Sequence, residues 1–151
     1  MFGTMSRNFG SQPFCGKQMG AHNRGGSLMI LVVDDEELVR NSVCEFLESI
    51  GYEVLGAADA FYALEFAKDR ATAATLQAVI ADINMPGLTG PQMWQAMKAL
   101  LPTSCRVLFM SGRAHAAELT AELPGEILVK PFSLQTLEEK LTRLLGPKAE
   151  S

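Results

Sequence analysis

The sequence predicts an α/β protein in which a five-stranded parallel sheet is covered by helices on both faces. Three observations carry that expectation. Five short apolar runs, at 28–33, 52–57, 76–82, 105–111 and 126–130, alternate with segments whose apolar residues recur at helical spacing. The runs are mainly continuous in apolar character, as in strands buried on both faces, and right-handed crossovers then leave few topologies. Three of the five runs finish on a polar or charged residue and the first is followed at once by one, at the carboxyl ends of the strands where open α/β proteins bind ligands.

The elements follow in order. Leu28 to Val33 is the first strand, and it runs into Asp34-Asp35-Glu36-Glu37. Acids there suit the positive end of a helix. Val39, Val43, Phe46, Leu47 and Ile50 mark the inner face of the first helix, and Gly51 stops it. Tyr52 to Ala57 is the second strand. Phe61, Leu64, Ala67 and Ala71 mark the second helix, with Lys68, Asp69 and Arg70 on its outside. Leu76 to Asp82 is the third strand. Pro91 suits a first helical turn, and Met93, Met97, Leu100 and Leu101 define a third helix that Pro102 ends. Cys105 to Ser111 is the fourth strand. A short helix is expected between Ala114 and Glu122. Glu126 to Lys130 is the fifth strand, and Ser133 caps a last helix whose inner face is Leu134, Leu137, Leu141, Leu144 and Leu145.

Composition narrows the function classes. The chain is 48% hydrophobic and 20% charged, which suits one globular domain with a real core. Residues 1–27 hold scattered glycines and the cations Arg7, Lys17 and Arg24 without an acid, and read as a disordered tail. Residues 28–146 form the domain, and 147–151 a short polar end. The whole chain carries a net charge of −4, and because the tail is +3 the rest is near −7, which argues against a nucleic-acid surface there. The longest apolar run is too short to cross a bilayer and no signal peptide is visible. The odd, widely spaced cysteines indicate neither a disulfide framework nor a zinc site, so the expected location is cytoplasmic, with no membrane contact.

The strand ends concentrate the chemistry. Asp34-Asp35, Asp82, Ser111 and Lys130 follow the first, third, fourth and fifth strands. If those strands are neighbours, three carboxylates, a hydroxyl and an ammonium converge in one cleft. Clustered carboxylates resist ionising together, and a divalent cation removes the penalty. Hard oxygen donors of this kind suit Mg²⁺. A carboxylate beside such an ion can attack phosphorus, with the hydroxyl and the ammonium contacting the developing phosphoryl charge.

Asp34-Asp35, "DINMPGLTG", "FMSG" and "VKPF" stand in this order at successive strand ends, and with them the chain resembles the receiver domains of two-component response regulators over residues 28–146. The resemblance implies a flavodoxin-like sheet in order 2-1-3-4-5 with five helices. It implies that Asp82 is the phosphoacceptor and that Mg²⁺ is held by Asp35, Asp82 and the backbone carbonyl of Asn84, with Asp34 holding metal-bound water or tuning the site. Ser111 is then the hydroxyl switch residue, Lys130 pairs with the phosphoryl group, and Pro131 follows a cis peptide bond. The phosphoryl donor is a sensor histidine kinase or a histidine phosphotransfer protein. An unknown protein lies downstream, a weak homodimer is left open, and the domain is no enzyme beyond promoting its own phosphorylation and dephosphorylation. Three features depart from the family pattern: Ile127 stands where an aromatic is usual, the Ser111–Lys130 spacing is short, and Arg113 follows the fourth strand.

Other readings are weaker. An aspartyl-phosphate phosphatase or phosphotransferase needs an acid two residues after its nucleophile, and Asn84 occupies that place. A flavodoxin-like cofactor binder needs a Gly-, Ser- and Thr-rich loop after the first strand, where Asp-Asp-Glu-Glu would repel a phosphate. A docking-only receiver would have lost site residues, and none is missing. A phosphate sink or relay without an output switch stays open beside the signalling role.

Overall fold

The computed structural model describes residues 28–112 and 125–146. Five strands form one parallel sheet in the order β2-β1-β3-β4-β5: β1 (Met29–Val33), β2 (Glu53–Ala57), β3 (Leu76–Asp82), β4 (Arg106–Gly112) and β5 (Glu126–Lys130). The helices are α1 (Glu37–Ser49), α2 (Ala60–Lys68), α3 (Arg70–Thr75), α4 (Gly90–Met97) and α5 (Leu134–Leu145), and a 3₁₀ turn, Lys98–Leu100, extends α4. The fold class and strand order expected from sequence are those observed. The helix expected between Ala114 and Glu122 lies outside the described residues.

Strand alternation divides the core into two layers. Leu31, Val33, Val79, Ala81, Val107 and Phe109 point to one face and pack under α2, α3 and α4 with Phe66, Met93 and Met97. Ile30, Val32, Ala78, Ile80, Leu108, Met110 and Leu128 point to the other and pack under α1 and α5 with Val43, Leu47, Leu137 and Leu141. Both faces are therefore covered, as the continuous apolar runs require.

The helices depart from expectation in one boundary and in which residues form their inner faces. The expected second helix is two, because Asp69 adopts an extended conformation and its side chain accepts from the Thr72 backbone N–H, capping α3. The inner face also differs: Ala60, Ala63, Phe66 and Ala67 are buried, while Phe61 is 61% exposed and packs edge-on against Tyr62. On α4 and its extension Leu101 is buried but Leu100 is exposed, because the 3₁₀ turn rotates the face. On α5 Leu134 is partly exposed at the first turn, and Leu137 and Leu141 carry the burial. Gly51, at φ 104°, follows α1 as expected of a terminating glycine. Cys105 is buried with a free thiol just before the fourth strand. No helix among the described residues is long and apolar enough to cross a membrane.

The loop after β3 is held tightly. Thr89 and Gln92 form a reciprocal capping box at the start of α4, with Pro91 in the first turn. The Gly90 N–H donates to the Ile83 carbonyl oxygen at 2.9 Å, drawing the helix start onto the strand end. A Cβ on Gly90 would lie 2.5 Å from the Asp82 carbonyl oxygen. Gly90→Ala should therefore cost about 1–3 kcal/mol, the scale of an overpacked site. Urea unfolding followed by the single tryptophan, Trp94, measures it; an unchanged midpoint would contradict the tight approach.

Candidate functional site

The site follows from the alternation of the strands. Asp34 continues the Ile30–Val32 register, Asp82 the Ala78–Ile80 register, and Lys130 stands two residues after Leu128. All three leave the sheet on the face covered by α1 and α5. Because β1, β3 and β4 are neighbours and β5 lies beyond β4, the strand ends meet at one edge. Asp34 is fully buried, Asp82 is 6% exposed, and Asp35 opens to solvent.

One carboxylate oxygen from each of Asp34, Asp35 and Asp82 lies within 4.8 Å of the others. Lys130 reaches into the same cluster. Its Nζ donates to Asp34 Oδ2 at 3.1 Å and to Glu36 Oε1 at 3.2 Å, and stands 3.6 Å from Asp82 Oδ1. The Glu36 backbone N–H donates to Asp34 Oδ1 at 2.9 Å. Asp34 is thus fully engaged, whereas Asp35 and Asp82 face the opening. The peptide bond from Lys130 to Pro131 is cis, as the resemblance implied.

Ser111 is buried at the end of β4, but it continues the Val107–Phe109 register and so belongs to the opposite parity. Its Oγ donates to the Gly112 carbonyl oxygen at 3.1 Å. The expected convergence therefore holds for the three carboxylates and the ammonium, while the hydroxyl is turned along its own strand. Asn84 is exposed in the loop after β3, with its backbone beside the Asp82 carboxylate. Ile127 is half-buried on β5, and Arg113 lies outside the described residues. Two participants were not singled out from sequence. Glu36 shares Lys130 with the two aspartates. Arg40 is buried in α1, and its Nη1 donates to the Asp34 carbonyl oxygen at 2.8 Å. Its place three residues before Val43 and seven before Leu47, on the buried stripe, was the available signal.

Electrostatics follow from crowding. Burial pushes the Asp82 carboxyl up to about 6, Asp34 adds to the rise, Lys130 and the Asn84 backbone oppose it, and Asp35 raises it further. Burial also raises Asp34, against the Glu36 N–H and Lys130. Burial alone would lower Lys130, but Asp34, Asp82 and Glu36 outweigh it, and the ammonium is held above its ordinary value. Four carboxylates around one ammonium leave an excess of negative charge. Hard oxygen donors with that excess fit a divalent cation such as Mg²⁺. Beside Lys130, a groove of about 590 Å³ runs between α1 and the start of α5, lined by Leu38, Ser42, Phe132 and Leu134 among others.

Known proteins agree with this geometry. The family model for the response regulator receiver domain matches residues 30–142. The chain is 32% identical over 128 residues to the sensor kinase CckA of Brucella abortus, covering 83% of this chain but 13% of that protein. It is 33% identical over 115 residues to the uncharacterized transcriptional regulatory protein YrkP of Bacillus subtilis, covering 74% of this chain and 47% of that protein. The chain thus spans half or less of the length of these relatives. Among solved structures, the receiver domain of the hybrid histidine kinase CckA superposes with a TM-score of 0.65 at 34% identity, over 78% of this chain and 98% of that one. The chemotaxis protein CheY4 of Vibrio cholerae gives 0.66 at 32% identity, over 80% of this chain and all of that one.

The raised Asp82 carboxyl has a consequence for stability. Its folded value of about 6 exceeds the ordinary 3.8, so folding favours the protonated form. That contribution is fully present below the unfolded value and is lost as pH rises through the folded one. Without divalent metal, the stability advantage of Asp82→Asn over the unaltered chain should grow between about pH 4 and about pH 7. Chelated samples unfolded in urea across that range test it; a difference constant with pH would contradict the crowding.

Proposed function

This chain belongs to the response regulator receiver domain family, and on that premise we propose that Asp82 accepts a phosphoryl group from a phosphohistidine and that the resulting charge is the signal. The observation that carries the reading is the Asp34–Asp35–Asp82 cluster with Lys130 in its midst. In this reading residues 28–146 are the receiver unit, flanked by 1–27 and 147–151, and its setting is cytoplasmic. The donor is a sensor histidine kinase or a histidine phosphotransfer protein.

Asp82 supplies the nucleophile. One of its carboxylate oxygens forms a P–O bond as the P–N bond of the donor histidine breaks, and the electron pair returns to the imidazole nitrogen. No proton leaves Asp82, so the ionised form is required. Asp35, Asp82 and the Asn84 carbonyl would hold Mg²⁺, with Asp34 tuning them. Bound there, Mg²⁺ supplies positive charge that keeps the carboxylates ionised and offsets phosphoryl oxygens. Lys130 is charged and 3.6 Å from Asp82 Oδ1, near enough to pair with the incoming phosphoryl oxygens. To do so it must loosen its contacts to Glu36 and Asp34, which makes it responsive to the charge that arrives. Ser111 would turn from the Gly112 carbonyl toward the phosphoryl group. A protein donor must cover the opening, and Leu38, 83% exposed on α1 beside the groove, offers it apolar surface.

Incubation with acetyl phosphate and Mg²⁺ should add one phosphate by intact mass. Asp82→Asn should remove the addition, and chelation of Mg²⁺ should suppress it. Labelling of Asp82→Asn to the level of the unaltered chain would refute the assignment.

A further inference from the structure

We propose that Arg40 is a positioning residue for the divalent-cation site, acting through the peptide bond that joins Asp34 to Asp35. The inference deepens the reading above and rests on those aspartates binding the cation.

Arg40 is 2% exposed and is among the largest fully buried side chains in the fold. It lies on the α1 stripe that also buries Val43, Cys44 and Leu47, where an aliphatic residue would pack without the cost of desolvating a guanidinium. Its Nη1 donates to the Asp34 carbonyl oxygen at 2.8 Å, from the first turns of α1 back to the end of β1. That oxygen sits in a gap: β1 ends at Val33 and α1 begins at Glu37, so no regular element claims it.

The bond reaches both aspartates. A peptide unit is planar, so fixing the Asp34 carbonyl also fixes the nitrogen and Cα of Asp35. Asp34 is tethered on its other side by its own N–H, which donates to the Ala57 carbonyl oxygen at 3.2 Å, and its carboxylate is held by Lys130 and Glu36. Arg40 adds the tether on the carbonyl side, through which the exposed Asp35 inherits an orientation. The guanidinium donates to a backbone oxygen, and its role is to orient the ligands and not to meet the phosphoryl group.

Positioning and simple charge make opposite predictions. Removing a nearby positive charge would by itself strengthen attraction for a dication. Loss of a tether would weaken binding despite that gain. The experiment is Mg²⁺ titration of the full chain by calorimetry, with thermal unfolding of the chelated protein alongside. Arg40→Met should weaken Mg²⁺ roughly tenfold or more, the scale of lost supporting bonds at metal sites. Arg40→Lys, which keeps charge and loses the planar fork, should fall between, and it carries the test if Arg40→Met does not fold. Leu137→Ala, a core truncation on the same face, should lower thermal stability while leaving Mg²⁺ affinity within about twofold. Unchanged affinity in both Arg40 variants, tighter binding in Arg40→Met, or an equal loss in Leu137→Ala would each overturn the proposal. If the unaltered chain takes up no Mg²⁺, the reading of the site fails first and this inference falls with it.

Discussion

The repulsion among carboxylates gathered at one edge of the sheet is the constraint on which the rest of the site depends. Asp34, Asp35 and Asp82 lie within 4.8 Å of one another, and Glu36 adds a fourth acid. Among the described residues, Lys130 is the cation that bridges Asp34, Glu36 and Asp82. The excess negative charge of such an arrangement costs stability, and a proton or a cation relieves it. Protonating Asp82, binding a cation or bringing up more negative charge must each redistribute the contacts of Lys130. The features that burden the folded domain are therefore the ones that make it responsive.

The fold supplies the rigidity that repulsion would otherwise dissipate. Parallel strands buried on both faces fix where each strand ends, and alternation decides which side chains leave on the α1–α5 face. Asp34, Asp82 and Lys130 share that parity and meet; Ser111 does not, and it bonds along its own strand. The loop carrying Asn84 is pinned between Asp82 and the capping box of α4, with Gly90 drawn against the strand end. A site of crowded like charges thus rests on a frame with little freedom to spread.

Much of this was legible in the residues. The third and fifth strands run Leu76–Asp82 and Glu126–Lys130 as the apolar runs indicated, and the capped start of α4 follows from Thr89, Pro91 and Gln92. The carboxylates and the lysine were found because strand ends of neighbouring strands converge. Other features depend on partners that sequence spacing does not reveal. Asp69 breaks a helix because its side chain finds the Thr72 N–H, and Phe61 turns outward because alanines and Phe66 fit closer to the sheet. Arg40 hid in plain periodicity: a charged residue on an apolar stripe reads as an outer position until the buried carbonyl it serves is visible. Glu36 looked like one more acid at a helix start, and only the arrival of Lys130 from β5 gives it a role.

Balance of charge by a cation is the central claim, and proton release on metal binding tests it most directly. With the Asp82 carboxyl near 6, Mg²⁺ must displace its proton around that pH. Calorimetric titration in buffers of different ionisation enthalpy counts the protons. Near pH 6 the unaltered chain should release about half a proton per Mg²⁺ bound, falling toward none near pH 8, and Asp82→Asn should release almost none at either pH. Binding of Mg²⁺ near pH 6 with no proton released, or with the same release from Asp82→Asn, would contradict it.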